Sequence, residues 1–491
     1  MARAHAQALH VVVLTSPGAG HVAPVAELAA RLAARHGATA TIVTFTNLSS
    51  PEHSSPLATL PPGVFTVALP EVSLDDLPAD AHLVTRVITV ARRTLPHLRV
   101  LLRSLHRGSP AGAGVAAFLA DMLCASALAV AEELGVPRRY VFYPSSLMSL
   151  VSLLHAPELA RTTACDFHDL PGPVVLPGCP PLHGADLPEP VQDRANPVYP
   201  LVIDLCIDYL RADGFIVNTF DAMEHDTLEA FKELSDRGVF PPAHAVGPIV
   251  RSCSGEAAAK HGCMRWLDEQ PDGSVMYVCF GSGGTLSTEQ IAELAAGLEA
   301  SGQRFLWVVR LPSDKDSAAG YFGTAGHGDD PLSYLPAGFM ERTRGAGLAV
   351  PESAPQVEVL NHRAVGGFLT HCGWNSVLEA AAAGVPMLAW PLFAEQRLNA
   401  VKLSSPEGIG VALRVRAARE GDGVVPRELV AAAARELMAG EKGAAARKKA
   451  RELRAGAEEA AAPGGPAHQA LAAVVDAWRG VARGVETSTQ I

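Results

Sequence analysis

The sequence lacks three features that would place it in a special class of protein. Its eight cysteines form no CxxC pair and no zinc-type spacing, so we expect free thiols and a cytoplasmic protein, not a disulfide-bonded one. No apolar run approaches the roughly 18 residues that a membrane span needs. Basic residues are in deficit, with 40 Lys and Arg against 51 Asp and Glu, and the resulting charge of −11 disfavours nucleic acid as a partner.

Apolar residues are plentiful, and their arrangement predicts two α/β domains. The chain has 491 residues, of which 48% are hydrophobic and 19% charged, which is enough for a large core. In both halves, short β-branched runs alternate with longer helical patterns, which is typical of parallel sheets covered by helices. The predicted strands are residues 9–15, 40–45, 115–120, 140–143, 215–217, 275–280, 305–309, 366–370 and 387–390.

Composition along the chain suggests where the domains meet. A first domain is predicted for residues 1–250, followed by a small polar linker at 251–262 and a second domain at 263–465. Residues 466–491 are expected to form a C-terminal helix that packs back on the first domain. The proline-rich stretch 171–200 reads as an ordered loop or a lid, and 312–333 reads as a mobile surface loop.

A glycine turn after the first strand carries the first candidate functional residue. Gly18 to Ala23 fit the pattern G-x-G-x-x-A, which alone would indicate a dinucleotide site. Such a site also needs an acidic residue after the second strand, and the residues at 44–47 are Thr, Phe, Thr and Asn. A dinucleotide is therefore disfavoured, and the turn brings His21 to the first turn of a helix, where a neutral, basic imidazole is favoured.

Asp121 directly follows the predicted strand 115–120, at the same edge of the same sheet as His21. Two roles are open to it. It can cap the following helix, or it can accept the proton of one imidazole nitrogen and so prepare the other as a general base. Since no serine or cysteine is evident between the two residues, the base would activate a bound hydroxyl group.

Two further turns in the second half suit an anion. Residues 281–285 read GSGGT between a strand and a helix, without the Lys of a nucleotide-hydrolysing P-loop. His371, Asn375 and Ser376 lie where the strand 366–370 gives way to a helix, which favours a diphosphate. A metal is not expected: His371 and Cys372 are adjacent, and the D-x-D at 314–316 lies in the surface loop.

Residues 353–396 resemble the signature segment of plant family 1 UDP-glycosyltransferases. HCGWNS at 371–376, Glu379 and the Glu395–Gln396 pair are all in register with that family. SPGAGH, FLADM, LPGC, VNTF, WLDEQPDGSVMYVCFGSGGT and RFLWVVR extend the resemblance over nearly the whole chain, and several of these segments are most similar to the hydroquinone glucosyltransferase branch.

The resemblance implies a fold, an activity and a role for each matching position. The fold would be GT-B, two Rossmann-like domains facing each other across a cleft. The activity would be an inverting transfer of glucose from UDP-glucose to a small phenolic or xenobiotic acceptor, at a hydroxyl group or alternatively an amine or thiol. His21 would be the base and Asp121 its partner. Donor-binding roles are implied for Ser282, His371, Asn375 and Ser376 (diphosphate), Ala354 and Gln356 (uracil), Glu379 (ribose), and Trp374, Glu395 and Gln396 (glucose).

One position departs from the family pattern. The family's segment opens with Trp, whose indole stacks on uracil, and this chain has Ser353 there. An aromatic stack on a base is worth about 1–3 kcal/mol. The alternative reading is therefore a homologue that binds UDP-sugar weakly or has lost catalysis, and a second is a UDP-sugar epimerase or hydrolase. Partners are expected to be a UDP-sugar and a small acceptor, with no cofactor, no metal and a monomeric state.

Overall fold

The structure, a computed structural model, describes residues 9–50, 54–107, 114–251, 261–321, 330–415 and 423–488. The chain divides into two compact units. The first comprises Met1–Ala164, Asp193–Ile249 and Ala460–Ile491, and the second comprises Cys165–Gln192 and Val250–Glu459. Within the described ranges, none of the helices is long and apolar enough to cross a lipid bilayer, and the cysteines found there are all free thiols.

The first unit is built on a seven-stranded parallel sheet of order β3-β2-β1-β4-β5-β6-β7. An inner strand of this sheet, His10–Leu14, contains Val11, Val12 and Val13, which are fully buried because both faces of a parallel sheet are covered. The strands are β1 His10–Leu14, β2 Thr39–Phe45, β3 Val64–Leu69, β4 Ala117–Asp121, β5 Arg139–Tyr143, β6 Gly214–Val217 and β7 Ala243–Ala245.

Helices connect these strands, and the last helix of the chain joins the same core. The helices are α1 Ala19–His36, α2 Leu83–Arg93, α3 Leu95–Arg107, α4 Leu128–Glu133, α5 Leu147–Thr162, α6 Val198–Asp208 and α7 Asp221–Asp236, with 3₁₀ turns at Ser55–Leu57, Met122–Ala127 and Tyr209–Arg211. Trp478, in the last helix, is fully buried in the cluster that contains Val11 and Val13. Its ring meets that of Tyr140 edge to face, with centroids 5.8 Å apart.

The second unit is built on a six-stranded parallel sheet of order β10-β9-β8-β11-β12-β13. The strands are β8 Val275–Cys279, β9 Arg304–Val309, β10 Gly347–Pro351, β11 Val365–Thr370, β12 Met387–Ala389 and β13 Ala412–Arg414. Its helices are α8 Gly262–Asp268, α9 Thr288–Ser301, α10 Phe339–Arg342, α11 Gln356–Leu360, α12 Trp374–Ala383, α13 Gln396–Ser404, α14 Arg427–Ala439 and α15 Glu441–Ala461. The last helix of the chain, α16 Pro466–Ser488, belongs to the first unit. Further 3₁₀ turns span Phe167–Asp169, Gly184–Asp186, Glu189–Val191 and Pro331–Tyr334.

Both sheets have the strand order of Rossmann-type folds, so the predicted pair of Rossmann-like α/β domains is confirmed. The order reverses between β1 and β4 in the first unit and between β8 and β11 in the second. In open parallel sheets, ligands bind beyond the carboxyl ends of the strands at such a reversal. The loops after these four strands are therefore where a functional site is expected in each unit.

The structure differs from the sequence predictions mainly at the edges. The strands that the sequence did not reveal include β3, whose pattern is half exposed, and β7 and β13, which have three residues each. Residues 165–192 group with the second unit, whereas 1–250 was predicted as one domain. The Glu189 amide donates to the Ala394 carbonyl (3.0 Å) and Asp186 pairs with Arg414 (3.5 Å), which ties this segment there.

Two predicted segments are only partly described. Of the linker predicted at 251–262, residues 252–260 lie outside the described residues, as do residues 322–329 of the surface loop predicted at 312–333. The proline-rich stretch 171–200 contains two short 3₁₀ turns, Gly184–Asp186 and Glu189–Val191.

Candidate active site

His21 and Asp121 are brought together by neighbouring strands of the first sheet. The chain leaves β1 at Leu14, turns at Gly18 with a φ of 112°, a region that favours glycine, and enters α1 at Ala19. His21 thus lies in the first helical turn, as predicted. Asp121 is the last residue of β4, and Ala120 before it is in register with Leu14.

The two side chains are joined directly. His21 Nδ1 lies 3.0 Å from Asp121 Oδ2, with Asp121 fully buried and the His21 side chain 15% exposed. Because a carboxylate only accepts, this contact places a proton on Nδ1 and leaves Nε2 as the basic nitrogen. Asp121 Oδ1 also accepts from the amide of Leu123 at 3.3 Å and caps the 3₁₀ turn. The carboxylate therefore has both of the arrangements that the sequence left open.

Ser16 is a neighbour that sequence reasoning missed. It is fully buried, and its hydroxyl donates to Asp121 Oδ1, on the side of the carboxylate away from His21. Cys124 Sγ lies 3.4 Å from the same hydroxyl, and burial raises the pKa of this thiol, which keeps it protonated. Ser16 thus fixes the position of the Asp121 carboxylate, and it does not lie between Asp121 and His21. Its position just after the first predicted strand was the signal available in the sequence.

His371 lies in a closely packed turn of the second unit. It follows β11, and a side-chain carbon on either Gly281 or Gly373 would collide with its ring. Burial lowers the pKa of His371 to about 4, so the imidazole is neutral near pH 7. Its Nδ1 is buried and has no hydrogen-bond partner among the described residues. Ser282, the other predicted diphosphate residue before α9, is exposed.

The helix α12 begins immediately after the turn that carries His371. Cys372, just before it, has a φ of 66°, a left-handed conformation rare for a residue with a side chain. Asn375 and Ser376 occupy the first turn of α12, where the N–H groups of a helix start and the helix dipole favour an anion. Trp374, at the start of α12, is buried. The start of the helix is thus suited to a phosphate group.

Gln356 contacts two of the other predicted donor residues, Ser376 and Glu379. Its Nε2 donates to Ser376 Oγ at 2.9 Å and to Glu379 Oε2 at 2.7 Å, and its Oε1 accepts from the Tyr277 hydroxyl at 3.4 Å. Glu379 is 6% exposed, and burial raises the pKa of its carboxyl. Gln356 begins α11, whereas Ser376 and Glu379 lie on α12. These hydrogen bonds therefore hold the first residue of α11 against α12.

Ser353 and Ala354 precede this network in an open segment. Ser353 is exposed and Ala354 half-buried. Glu352 has a φ of 62°, and the Ser353 amide donates to the Pro351 carbonyl at 2.7 Å, so the turn has a defined backbone. The position that would carry the family's Trp therefore faces outward within its own unit.

Gln396 is held by its own loop. It is 4% exposed, and its Oε1 accepts from the amides of Leu392 (2.9 Å) and Phe393 (3.1 Å). Two backbone N–H groups donate to the same oxygen and so fix the orientation of the side-chain amide. The NH₂ group is then the end of the amide that can donate to a ligand. Glu395, the residue before α13, follows Ala394, which has a φ of 55°.

The possible metal ligands of the second unit have other roles or lie near the surface. Asp314 of the D-x-D segment accepts from the Thr288 amide at 2.8 Å and thereby caps α9. The described residues contain one group with three possible ligands close together, formed by Asp166, His168 and Asp169 on a partly exposed turn. None of these residues was predicted as a site residue.

The chain matches known proteins over nearly all its length. The family model described as UDP-glucoronosyl and UDP-glucosyl transferase matches residues 217–424. A hydroquinone glucosyltransferase of Rauvolfia serpentina is 43% identical over 470 residues, which cover 96% of this chain and 97% of that protein.

Two solved structures are similar in fold and sequence. A UDP-glucosyltransferase of Polygonum tinctorium that glucosylates indoxyl, in complex with 3,4-dichloroaniline, is 42% identical with a TM-score of 0.87, covering 96% of this chain and 99% of that one. Phytolacca americana UGT2 with UDP-2-fluoro-glucose and pterostilbene is 38% identical with a TM-score of 0.86, covering 96% and 100%. The chain therefore belongs to the plant family 1 UDP-glycosyltransferases of GT-B fold, and it is a glycosyltransferase that uses a UDP-sugar and small acceptors.

Proposed function

We propose that this glycosyltransferase moves glucose from UDP-glucose to the hydroxyl of a small phenol and forms a β-glucoside. The observation that carries the proposal is the contact of 3.0 Å between His21 Nδ1 and the buried Asp121. Relatives support the acceptor class, since one is named a hydroquinone glucosyltransferase and the two structures hold a stilbene and an aniline. An aromatic amine is thus the second acceptor to test.

His21 acts as the general base in this scheme. With its Nδ1–H hydrogen-bonded to the Asp121 carboxylate, the imidazole takes the phenol proton at Nε2 as the oxygen attacks the anomeric carbon. Asp121 stabilises the imidazolium that forms, and Ser16 holds Asp121 in place. General-base catalysis of this kind contributes typically about 10²–10⁴-fold.

The departing UDP is stabilised by the start of α12. Ser282, neutral His371, Asn375 and Ser376 are assigned to the diphosphate, whose growing charge is met by helix N–H groups. No acid has to protonate this leaving group, and the scheme assigns no step to a metal. A single displacement on an α-linked donor inverts the anomeric carbon, which gives the β-linked product.

The rest of the donor is assigned to the loops around α11, α12 and α13. Ala354 and Gln356 would meet the uracil beside Ser353, and Glu379 would accept from the ribose hydroxyls. Trp374, Glu395 and Gln396 would surround the glucose. Acceptor binding is assigned to the first domain and donor binding to residues 263–465, in a monomeric cytoplasmic enzyme.

Incubation with UDP-glucose and hydroquinone tests the proposal. We expect release of UDP and a glucoside whose anomeric proton has the large coupling constant of a β-linkage, and loss of both with His21→Ala. UDP or an epimerised sugar formed without acceptor would instead indicate a hydrolase or epimerase. Binding of UDP-glucose without any product would favour the catalytically inactive homologue that Ser353 suggested.

A further inference from the structure

The buried carboxylate of Glu379 has a cationic partner outside the signature segment. Arg251 Nη2 lies 3.7 Å from Glu379 Oε1, while the other oxygen, Oε2, accepts from Gln356 at 2.7 Å. The Glu379 side chain is 6% exposed and that of Arg251 is 55% exposed. Arg251 thus reaches from the surface to a carboxylate that solvent barely contacts.

A buried carboxylate needs such a partner to stay ionised. Burial raises the pKa of Glu379, and both Arg251 and the hydrogen bond from Gln356 oppose that rise. The other titratable groups that act on it are Glu358 on α11 and Tyr277 and Cys279 on β8. Burial raises the pKa of both the Tyr277 hydroxyl and the Cys279 thiol, so neither is charged near neutrality, and Glu358 only adds repulsion. Among these described groups, Arg251 supplies the positive charge.

We propose that Arg251 is a positioning residue for the sugar donor, whose guanidinium keeps Glu379 ionised and oriented as an acceptor for the ribose hydroxyls. The inference rests on the proposed function, because it takes Glu379 as the ribose contact. Arg251 acts through Glu379 and need not touch the reacting atoms. Its effect therefore falls on donor affinity and donor KM, with kcat at saturating UDP-glucose unchanged.

Calorimetric titration of UDP-glucose between about pH 6 and about pH 8.5 tests this role, since the diester diphosphate of this ligand does not titrate there. Without Arg251, the pKa of Glu379 rises, and the carboxyl becomes protonated as the pH falls. We expect Arg251→Gln to bind UDP-glucose roughly 2- to 10-fold more weakly than wild type at the acid end, the loss of about one hydrogen bond. The difference should shrink toward the alkaline end.

Three variants serve as controls. Arg251→Lys keeps the charge and should restore most of the affinity. Arg265→Gln removes an exposed arginine of α8 and should match wild type. In a Glu379→Gln background there is no carboxyl to titrate, so adding Arg251→Gln should cause no further pH-dependent loss.

Equal affinity of Arg251→Gln and wild type at every pH would overturn this role and leave the proposed function intact. An equal loss at every pH, not rescued by lysine and still present in the Glu379→Gln background, would overturn it as well, because Arg251 would then touch the ligand directly. If wild type does not bind UDP-glucose at all, the proposed function and this role are both overturned.

Discussion

His21 Nδ1 lies 3.0 Å from Asp121 Oδ2, although 100 positions of sequence separate the two residues. The contact exists because β4 pairs with β1 at the reversal of the first sheet, so both residues leave the same edge. Their separation along the chain is bridged by sheet topology, which makes the geometry of the pair as rigid as the central strands.

Asp121→Asn should abolish most of the turnover of a weakly acidic phenol. The amide keeps the shape but cannot stabilise an imidazolium, so we expect kcat to fall by about 10²–10⁴-fold. Affinity for UDP-glucose should not change. Asp226→Asn, an exposed carboxylate of α7, is the matched control. A kcat within threefold of wild type would remove Asp121 from the mechanism.

Gln396→Glu should distinguish the role of the side-chain oxygen from the role of the NH₂ group. A carboxylate still accepts from the amides of Leu392 and Phe393, but it has no N–H to donate to a sugar hydroxyl. We expect kcat/KM for UDP-glucose to fall by about 5- to 150-fold, the cost of one unpaired buried group. The thermal stability should stay close to wild type.

Gln396→Met is the comparison, since it loses both ends and should lower the thermal stability as well. Wild type should prefer UDP-glucose to UDP-galactose for the same reason, because a site built to bond hydroxyl groups rejects analogues that leave it unpaired. Equal kcat/KM for the two donors would contradict the assignment of Glu395 and Gln396 to glucose.

Ser353→Trp should tighten UDP binding. Ser353 is exposed within its unit, so an indole has room to stack on uracil and add up to about 1–3 kcal/mol. Donor KM should fall with little change in kcat, since the stack is equal in ground and transition states. Calorimetry with UDP measures the gain, and Ser353→Leu controls for added apolar surface. Unchanged or weaker binding in Ser353→Trp would show that the position is not vacant.

His371 should make the second unit sensitive to acid. Its pKa is about 4 when folded and about 6.5 when unfolded, so the unfolded chain binds the proton first as the pH falls. This residue should therefore cost about 2 kcal/mol of stability between pH 7 and pH 5. Urea unfolding at the two pH values should show a smaller loss for His371→Gln, whereas the exposed His97→Gln should behave as wild type. An identical loss of stability in wild type, His371→Gln and His97→Gln would contradict the lowered pKa of the His371 imidazole.

The central strands and the turns after them could be predicted because their information is local. A fully buried strand such as β1 is a continuous apolar run, and Gly18 marks the turn that places His21 in its helix. Both features follow from a few adjacent residues. The edge strand β3 has exposed positions, so its pattern merges with that of a loop.

The contacts that complete the site could not be predicted in the same way. Ser16 meets Asp121 across 105 positions, and Arg251 meets Glu379 from a segment with no pattern of its own. Such pairs depend on the register of two elements, and a register shift of one residue would reverse the side chains. The roles of the donor residues came from resemblance to a family, and they remain predictions for the experiments above.

Trp478 and its helix have a consequence for the order in which the protein is made. The core of the first unit contains side chains from β1 and from residues beyond 460, and roughly 210 residues of the second unit, Val250–Glu459, are synthesised after β7 and before that last segment. At about 5–20 residues per second, the early sheet waits some 10–40 s for its last covering helix. During that interval the apolar surface around Tyr140 is open to chaperones, so mutations at Trp478 should reduce yield in the cell more than they reduce the activity of the protein that survives.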